Sequence, residues 1–372
     1  MFFKDIVGQK TIIADLIKES ASGKTAHAKT FVGSPGFGTL PVALAYSRYL
    51  LCEQPGPTDA CGICSSCVQM NDLQHPDLHC VFPVVQSISK TSDGLINEWR
   101  DLVKQSPYFS SFDWLKVMDE KERNPIIGVE ESKEIIKKIN LKSFQGGFKV
   151  VIIFGSEQMN AECSNKLLKV LEEPPLKTLF LLLAEQQLEV LPTVQSRTQI
   201  TIFPRLQSIE IAGYLMEKYS IDRQTADGLA SFSDGDLSTA TNLLKNGEMM
   251  DGYRESFIQL MRSCFKKNVN EMMSWAEEMS TFSKERQKLF LSYALHMLRQ
   301  CNVLNYLGVE HVTLTPKEFA FSEKFSPYIT GNNIRQFIET MDTAYFGLER
   351  NASAKMLFTE LSFQVMRHIH RA

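Results

Sequence analysis

The 372-residue sequence contains no apolar run of the roughly 20 residues that span a bilayer, and its densest stretch, Leu179 to Ala184, is far too short. No membrane partner is expected. The first ten residues, MFFKDIVGQK, mix acidic and basic side chains and lead into no apolar stretch of secretion-signal length, so a cytoplasmic location is expected. An excess of positive charge is also missing. The formal net charge is -3 and the pI about 6.2, which excludes a protein that holds nucleic acid by its overall field. Any DNA contact has to be local or shared with partners. Internal repeats and low-complexity segments are absent too, leaving an ordinary globular sequence.

Hydrophobic residues make up 44% of the chain and charged residues 22%, and the length exceeds what one compact core takes up, so two or three domains are expected. Thr11 to Glu19 has helical periodicity, Lys29 to Val32 is a short strand, Gly33-Ser34-Pro35-Gly36-Phe37-Gly38 is a turn, and Val42 to Leu51 is helical again. That is the layout of a phosphate-binding strand-loop-helix unit. Asp77 to Val84 reads as a strand. The polar stretch 87–124 resists assignment, except for helical character around Leu95 to Lys104.

A helix from Val129 through Ile139 follows, then a Gly146-Gly147 turn and the buried-strand run Val150-Val151-Ile152-Ile153. Cys163 to Glu173 is helical and must stop at Pro174-Pro175, which cannot continue the backbone hydrogen bonding. Leu179 to Ala184 and Thr198 to Phe203 are further strands. Strands alternating with helices predict a doubly wound α/β domain with a parallel sheet. Beyond Pro204 the periodicity is helical: Ile209 to Tyr219, Asp222 to Phe232 and Leu237 to Lys245, then a larger helical region from Asp251, interrupted near Gly308 to Pro316 and near Gly331. The expected domains are 1–204, 205–248 and 249–372.

A working phosphate loop reads GxxxxGK[S/T]: the glycines bring N–H groups to the phosphates, the lysine neutralises them and the hydroxyl ligates magnesium. Gly33 and Gly38 have that spacing, but the next two residues are Thr39 and Leu40, which supply neither the cation nor a metal ligand. A bare glycine loop also fits a structural turn. An ATPase would in addition end its buried strand with acidic residues. Here Ile153 is followed by Phe154-Gly155-Ser156, and Glu157 beyond it reads as an acid at a helix start or on the surface. Both halves of one active site are missing together.

Eight cysteines are present, and four of them, Cys52, Cys61, Cys64 and Cys67, follow a C-x8-C-x2-C-x2-C spacing. Clustering in a reducing compartment favours metal over disulfide. Four thiolates suit a closed, structural, tetrahedral zinc site; iron-sulfur ligation and free buried cysteines are the other readings. The flank from Glu53 to Ala60 has no lysine or arginine to meet phosphate, so packing or interaction is the expected role. Cys80, Cys163, Cys264 and Cys301 read as core residues, and His75 and His79 belong to the start of a strand.

Four segments, in their order along the chain, resemble the bacterial DNA polymerase III clamp-loader family of AAA+ proteins. They are His27-Ala28 leading into Gly33-Ser34-Pro35-Gly36, the cysteine cluster ahead of His75-Pro76-Asp77, the run from Asn165 to Leu171-Glu172-Glu173-Pro174-Pro175, and Ser196-Arg197-Thr198. The resemblance covers about the first 205 residues, apart from the stretch near 86–124, which is longer than the family norm. It implies an AAA+ sheet domain with an inserted zinc module near 52–67, a small helical lid and an all-α collar.

Within the family, gamma and tau subunits keep a working loop, whereas delta-prime has a degenerate one and serves as a fixed wedge in a five-subunit ring. Thr39, Leu40, Phe154 and Gly155 point to the delta-prime type. That type is a non-hydrolysing part of the DNA polymerase III holoenzyme, a DNA-directed DNA polymerase. It helps load the sliding clamp onto primed DNA, with gamma/tau and delta subunits as neighbours. The polar sensor after the fourth strand is replaced by Glu185, and the lid arginine that would touch nucleotide corresponds to Ser238.

Arg197 matches the arginine of the family's Ser-Arg-Cys motif, which reaches in trans into a neighbour's ATP site; Thr198 departs from the motif's cysteine. Read from the residues alone, Arg197 is a surface arginine making a salt bridge. Phe337, Ile338, Met341, Leu348, Leu357, Leu361 and Val365 recur at helical spacing, as core residues do, and Leu348 to Lys355 resembles the loop before the last collar helix. The alternatives are an active ATPase of the gamma/tau kind, opposed by Thr39, Leu40 and Phe154, and a zinc-dependent nucleic-acid module, opposed by the acidic pI.

Overall fold

The computed structural model describes residues 1–119, 123–144, 146–245 and 247–371. The expected Ser87 to Asn124 segment therefore falls partly outside the described residues. The chain divides into two compact units, one of Met1–Tyr214 with Asp234–Thr239, the other of Leu215–Ser233 with Ala240–Ala372.

The first unit runs α1 (Lys10–Ala21), β1 (Ala28–Val32), α2 (Thr39–Leu51), α3 (Ser65–Asn71), β2 (Leu78–Val81), α4 (Ile96–Gln105), α5 (Ser111–Met118), α6 (Val129–Asn140), β3 (Lys149–Phe154), α7 (Ala161–Glu172), β4 (Thr178–Ala184), α8 (Pro192–Gln195) and β5 (Gln199–Ile202), followed by α9 (Ser208–Tyr219). The five strands form one parallel sheet in the order β2-β3-β4-β1-β5. Every residue of β1, β3 and β4 is buried, because helices cover both faces of a parallel sheet. Side chains alternate across β3: Val150, Ile152 and Phe154 join the core that contains α2 and α4, while Val151 and Ile153 join Ile135, Ile139, Leu167 and Leu171 of α6 and α7.

Local chemistry sets the boundaries. The Asn160 side chain accepts from Cys163 N at 2.8 Å and starts α7, which ends at Glu172 ahead of the two prolines. Strand β2 is shorter than the expected Asp77 to Val84. Pro83 lacks the N–H that a ladder needs, and Val84 instead pairs in an antiparallel bridge with Ile126. The polar stretch holds two short helices: α4, which matches the helical character expected around Leu95 to Lys104, and α5, which had no assignment. α5 opens with a reciprocal capping box in which Ser110 and Asp113 satisfy each other's backbone N–H.

The second unit is helical: α10 (Arg223–Phe232), most of α11 (Leu237–Lys245), α12 (Gly247–Phe265), α13 (Val269–Ser280), α14 (Lys284–Leu307), α15 (Pro316–Phe325), α16 (Ile334–Glu349) and α17 (Ala354–Ile369). Phe337, Met341, Leu348, Leu361 and Val365 are buried in its core with Trp275, Phe290 and Phe358, and Ile338 and Leu357 are half-buried. Among the described residues, no helix is long and apolar enough to cross a membrane.

Candidate functional site

The loop between β1 and α2 carries the first candidate residues. Gly38 sits at φ 96° and caps the N-terminus of α2, a conformation that favours glycine. Thr39 and Leu40 follow as the first two helical residues and are 3% and 2% exposed; Leu40 packs in the sheet core. Neither presents a group to a ligand. Gly33 N donates to Ala184 O at 3.0 Å, tying the loop to the end of β4.

On the other side of the loop lies Asp236, which the sequence reading passed over in favour of Ser238. Its carboxylate accepts from Ser34 Oγ, from Ser238 Oγ at 2.6 Å and from Thr239 N at 2.8 Å. A Cβ on Gly36 would collide with it, so glycine is required there for close approach. The only signal in the sequence was an aspartate at a helix start, three residues before Thr239.

At the β3 end, Phe154 is 4% exposed and packs against Trp99 at 5.0 Å and Phe109 at 5.4 Å. Trp99 stacks on Phe82 at 4.4 Å and meets Trp114 edge-on at 5.2 Å. Trp114 Nε1 donates to Pro83 O at 2.8 Å. Two of the three tryptophans in the chain thus come from the polar stretch 87–124, of which only Leu95 to Lys104 had been read as helical. Glu157 occupies a short 3-10 turn and is half-buried, not on the surface. Burial pushes its carboxyl up to about 7, and nearby Glu185 adds to the rise.

Arg197 follows α8. Its Nε donates to Glu172 Oε1 at 2.7 Å, and its Nη1 donates to Thr193 O at 2.9 Å and Ser196 Oγ at 3.0 Å. The residue-level alternative of a salt bridge therefore exists in this chain, with the arginine side chain 29% exposed. Glu172, its partner, is the first glutamate of the Leu-Glu-Glu-Pro-Pro run, placed at the last turn of α7 by the prolines. Thr198 Oγ1 lies 2.7 Å from Thr30 Oγ1 of β1, which closes the strand edge there.

The four clustered cysteines do converge. Cys52 caps the C-terminus of α2 and Cys64 the N-terminus of α3, and the four Sγ atoms lie within 4.8 Å of one another. The Cys52–Cys64 and Cys61–Cys67 separations are both 3.9 Å, close to the ~3.8 Å between thiolates around a tetrahedral ion with 2.3 Å bonds. No disulfide links them. Backbone donors already aim at the sulfurs: Cys61 N to Cys52 Sγ at 3.3 Å, Cys64 N to Cys61 Sγ at 3.4 Å, and Cys67 N to Cys64 Sγ at 3.5 Å.

N–H donors from Cys64 and Ile63 pull the Cys61 thiol down to about 6, whereas burial pushes Cys52 and Cys67 up. Four thiolates at this spacing need a cation among them, so the donor set fits a metal ion. Arg48, unnoticed in the sequence because its helix reads as apolar, is 1% exposed beside them; burial pushes its guanidinium's pKa down, and negative charge on Cys67 and Cys52 works against that. Its Nη2 donates to Asn71 Oδ1 at 2.8 Å and its guanidinium lies 4.2 Å from the Phe2 ring centroid. A divalent ion with four thiolates keeps two negative charges, which a buried guanidinium offsets. His75 stays outside the cluster and lies 3.2 Å from Ser66 Oγ.

Comparison with known proteins places this arrangement. The family model described as DNA polymerase III, delta subunit, matches residues 8–207. DNA polymerase III subunit delta-prime of Escherichia coli K12 is 29% identical over 185 residues, covering 50% of this chain and 44% of that protein. The delta-prime subunit of Bacillus subtilis 168 is 26% identical over 75% of this chain and 71% of its own length. The tau subunit of the same organism is 21% identical across 100% of this chain and 62% of its own. The match thus spans less than half of the E. coli relative. With the model matching more than half of its residues, the chain belongs to the DNA polymerase III delta-subunit family of clamp-loader proteins.

Proposed function

We propose that the chain is a non-hydrolysing structural subunit of a DNA polymerase III clamp loader, of the delta-prime type. The observation that carries this reading is the burial of Thr39 and Leu40 at the two positions where a phosphate loop needs a lysine and a magnesium-ligating hydroxyl. Phe154 at the β3 end supports it, since an aromatic core residue neither binds magnesium nor activates water. In this reading the chain sits in a hetero-pentamer with gamma/tau and delta subunits, in the cytoplasm, and helps place the sliding clamp on primer-template DNA. Its organisation is a sheet domain to residue 204, a lid over 205–248 and a collar beyond.

Arg197 is its contribution to chemistry, reaching into a neighbour's ATP site as an arginine finger. Exposed ion pairs contribute only about 0–1 kcal/mol, so phosphate can displace the Glu172 carboxylate that holds the guanidinium in the free chain. A finger in trans raises turnover by roughly three to five orders of magnitude in well-studied NTPases. Cys52, Cys61, Cys64 and Cys67 hold a structural zinc ion, the metal that best suits four thiolates and no open position.

The test is reconstitution. The purified chain should not turn over ATP, and Arg197→Ala in the assembled complex should abolish turnover at one neighbouring site; unchanged turnover would remove the finger, and ATPase activity of the chain alone would remove the delta-prime reading. A second reading, an active gamma/tau-type ATPase, draws on the end-to-end match to the B. subtilis tau subunit, and that same ATPase measurement decides between the two.

A further inference from the structure

In a strand-loop-helix phosphate site the ligand lies beyond the C-terminal ends of the parallel strands, with its phosphates against loop N–H groups. Here that position is bounded by the loop Gly33 to Leu40, by Phe154 at the end of β3, and by the N-terminal residues around Val7. The chain itself fills it. Trp99 and Phe109, from the stretch between β2 and α6, cover Phe154, and both are no more than 4% exposed. Tyr108, 5% exposed, accepts a hydrogen bond from Val7 N at 3.0 Å, and its ring lies 3.5 Å from where a Cβ on Gly38 would be.

The stretch is fastened where it begins. Ser92 is fully buried, its N–H and hydroxyl both donate to Glu131 Oε2 at 2.6 and 3.0 Å, and its hydroxyl accepts from Phe82 N at 2.9 Å. At the phosphate side, the Asp236 carboxylate takes the Ser34 hydroxyl and lies against Gly36, so an incoming phosphate meets a like charge there.

We propose that residues 92–118, together with Asp236, are a built-in occupant of the nucleotide position: the site is closed by the chain's own side chains, not merely stripped of its catalytic ones. The proposal rests on reading Gly33 to Leu40 as a degenerate phosphate loop, and it makes the subunit's conformation independent of ATP.

The experiment titrates the full-length chain with a fluorescent mant-ATP and magnesium. Restoring the loop with Thr39→Lys and Leu40→Thr is expected to give no saturable binding, because the position stays filled. Saturable binding by that variant, competed by ATP, overturns the proposal while leaving the subunit reading intact, since the wild-type loop still lacks both side chains. Adding Tyr108→Ala and Asp236→Asn to the restored loop is expected to bring saturable binding where the restored loop alone shows none. No binding by a variant with a native hydrogen-exchange pattern also overturns it.

Because heavily altered variants can misfold, the wild-type chain supplies an independent measurement. Amides of α4 and α5 should exchange as slowly as those of β3 and stay unchanged on adding Mg-ATP. Rapid exchange there, or protection that appears with ATP, contradicts a permanent occupant.

Discussion

Trp99→Ala tests how firmly the aromatic cluster is built into the first unit. Trp99 is 1% exposed, and four rings surround it: Phe82 at 4.4 Å, Phe154 at 5.0 Å, Phe109 at 5.1 Å and Trp114 at 5.2 Å. Truncating a buried Phe or Trp costs roughly 3–5 kcal/mol, and each well-oriented aromatic pair adds about 0.5–1.5 kcal/mol beyond its area. With four such pairs the upper end applies, about 4–5 kcal/mol, a large part of the ~5–15 kcal/mol that holds a domain folded.

Among the described residues, the indole Nε1 finds no hydrogen-bond partner. Trp99→Phe therefore removes an unsatisfied donor along with some volume, and should cost only about 1–2 kcal/mol. Native-state hydrogen exchange read on peptides from β3 and β4 isolates this unit from the helical one. Trp99→Ala should accelerate their exchange about a thousandfold and Trp99→Phe about five- to thirtyfold. An alanine effect below about fivefold would mean that the cluster is loosely held, and the argument for a filled nucleotide position would lose its footing.

Native mass spectrometry of the wild-type chain should show one metal ion per chain, which Cys67→Ser and chelation should each remove; a wild-type chain without an ion, or a variant that keeps one, would exclude the four-cysteine site. Glu157 gives a pH dependence with a definite sign. Its carboxyl titrates near 7 when folded against an ordinary 4.5, so the folded state binds the extra proton and this group's contribution to stability falls as pH rises from about 4.5 to about 7. Glu157→Gln should flatten that part of the pH profile of the β3 exchange rates, and an unchanged slope would show that Glu157 does not titrate there.

What could be read in advance depended on how local the signal was. β3 and β4 were plain because strands covered on both faces are continuously apolar, and α7 was plain because two prolines end it. The four-cysteine cluster was legible from spacing alone, since its members lie within sixteen residues. α4 was legible as the helical character around Leu95 to Lys104, since Ile96, Trp99 and Val103 recur at helical spacing, whereas α5, only eight residues long, shows too little of a period to be read. The Ser34–Asp236 contact joins positions 202 apart, and no local pattern marks it. The Arg197–Glu172 pair spans 25 positions and shows only when α7 and the turn after α8 are folded together.

Helix α2 links two of these features mechanically. Its first residue follows the glycine loop and its last precedes Cys52, and along its thirteen residues only Leu50 is not buried. At 1.5 Å per residue it is a rod about 20 Å long with both ends pinned, one by the loop and one by a cysteine ligand. A rod so held can neither slide nor tilt unless one of its pins gives way. Were the four thiols to hold an ion as proposed, its loss would release the far pin, and chemistry at the thiols would become a question of leverage at the loop.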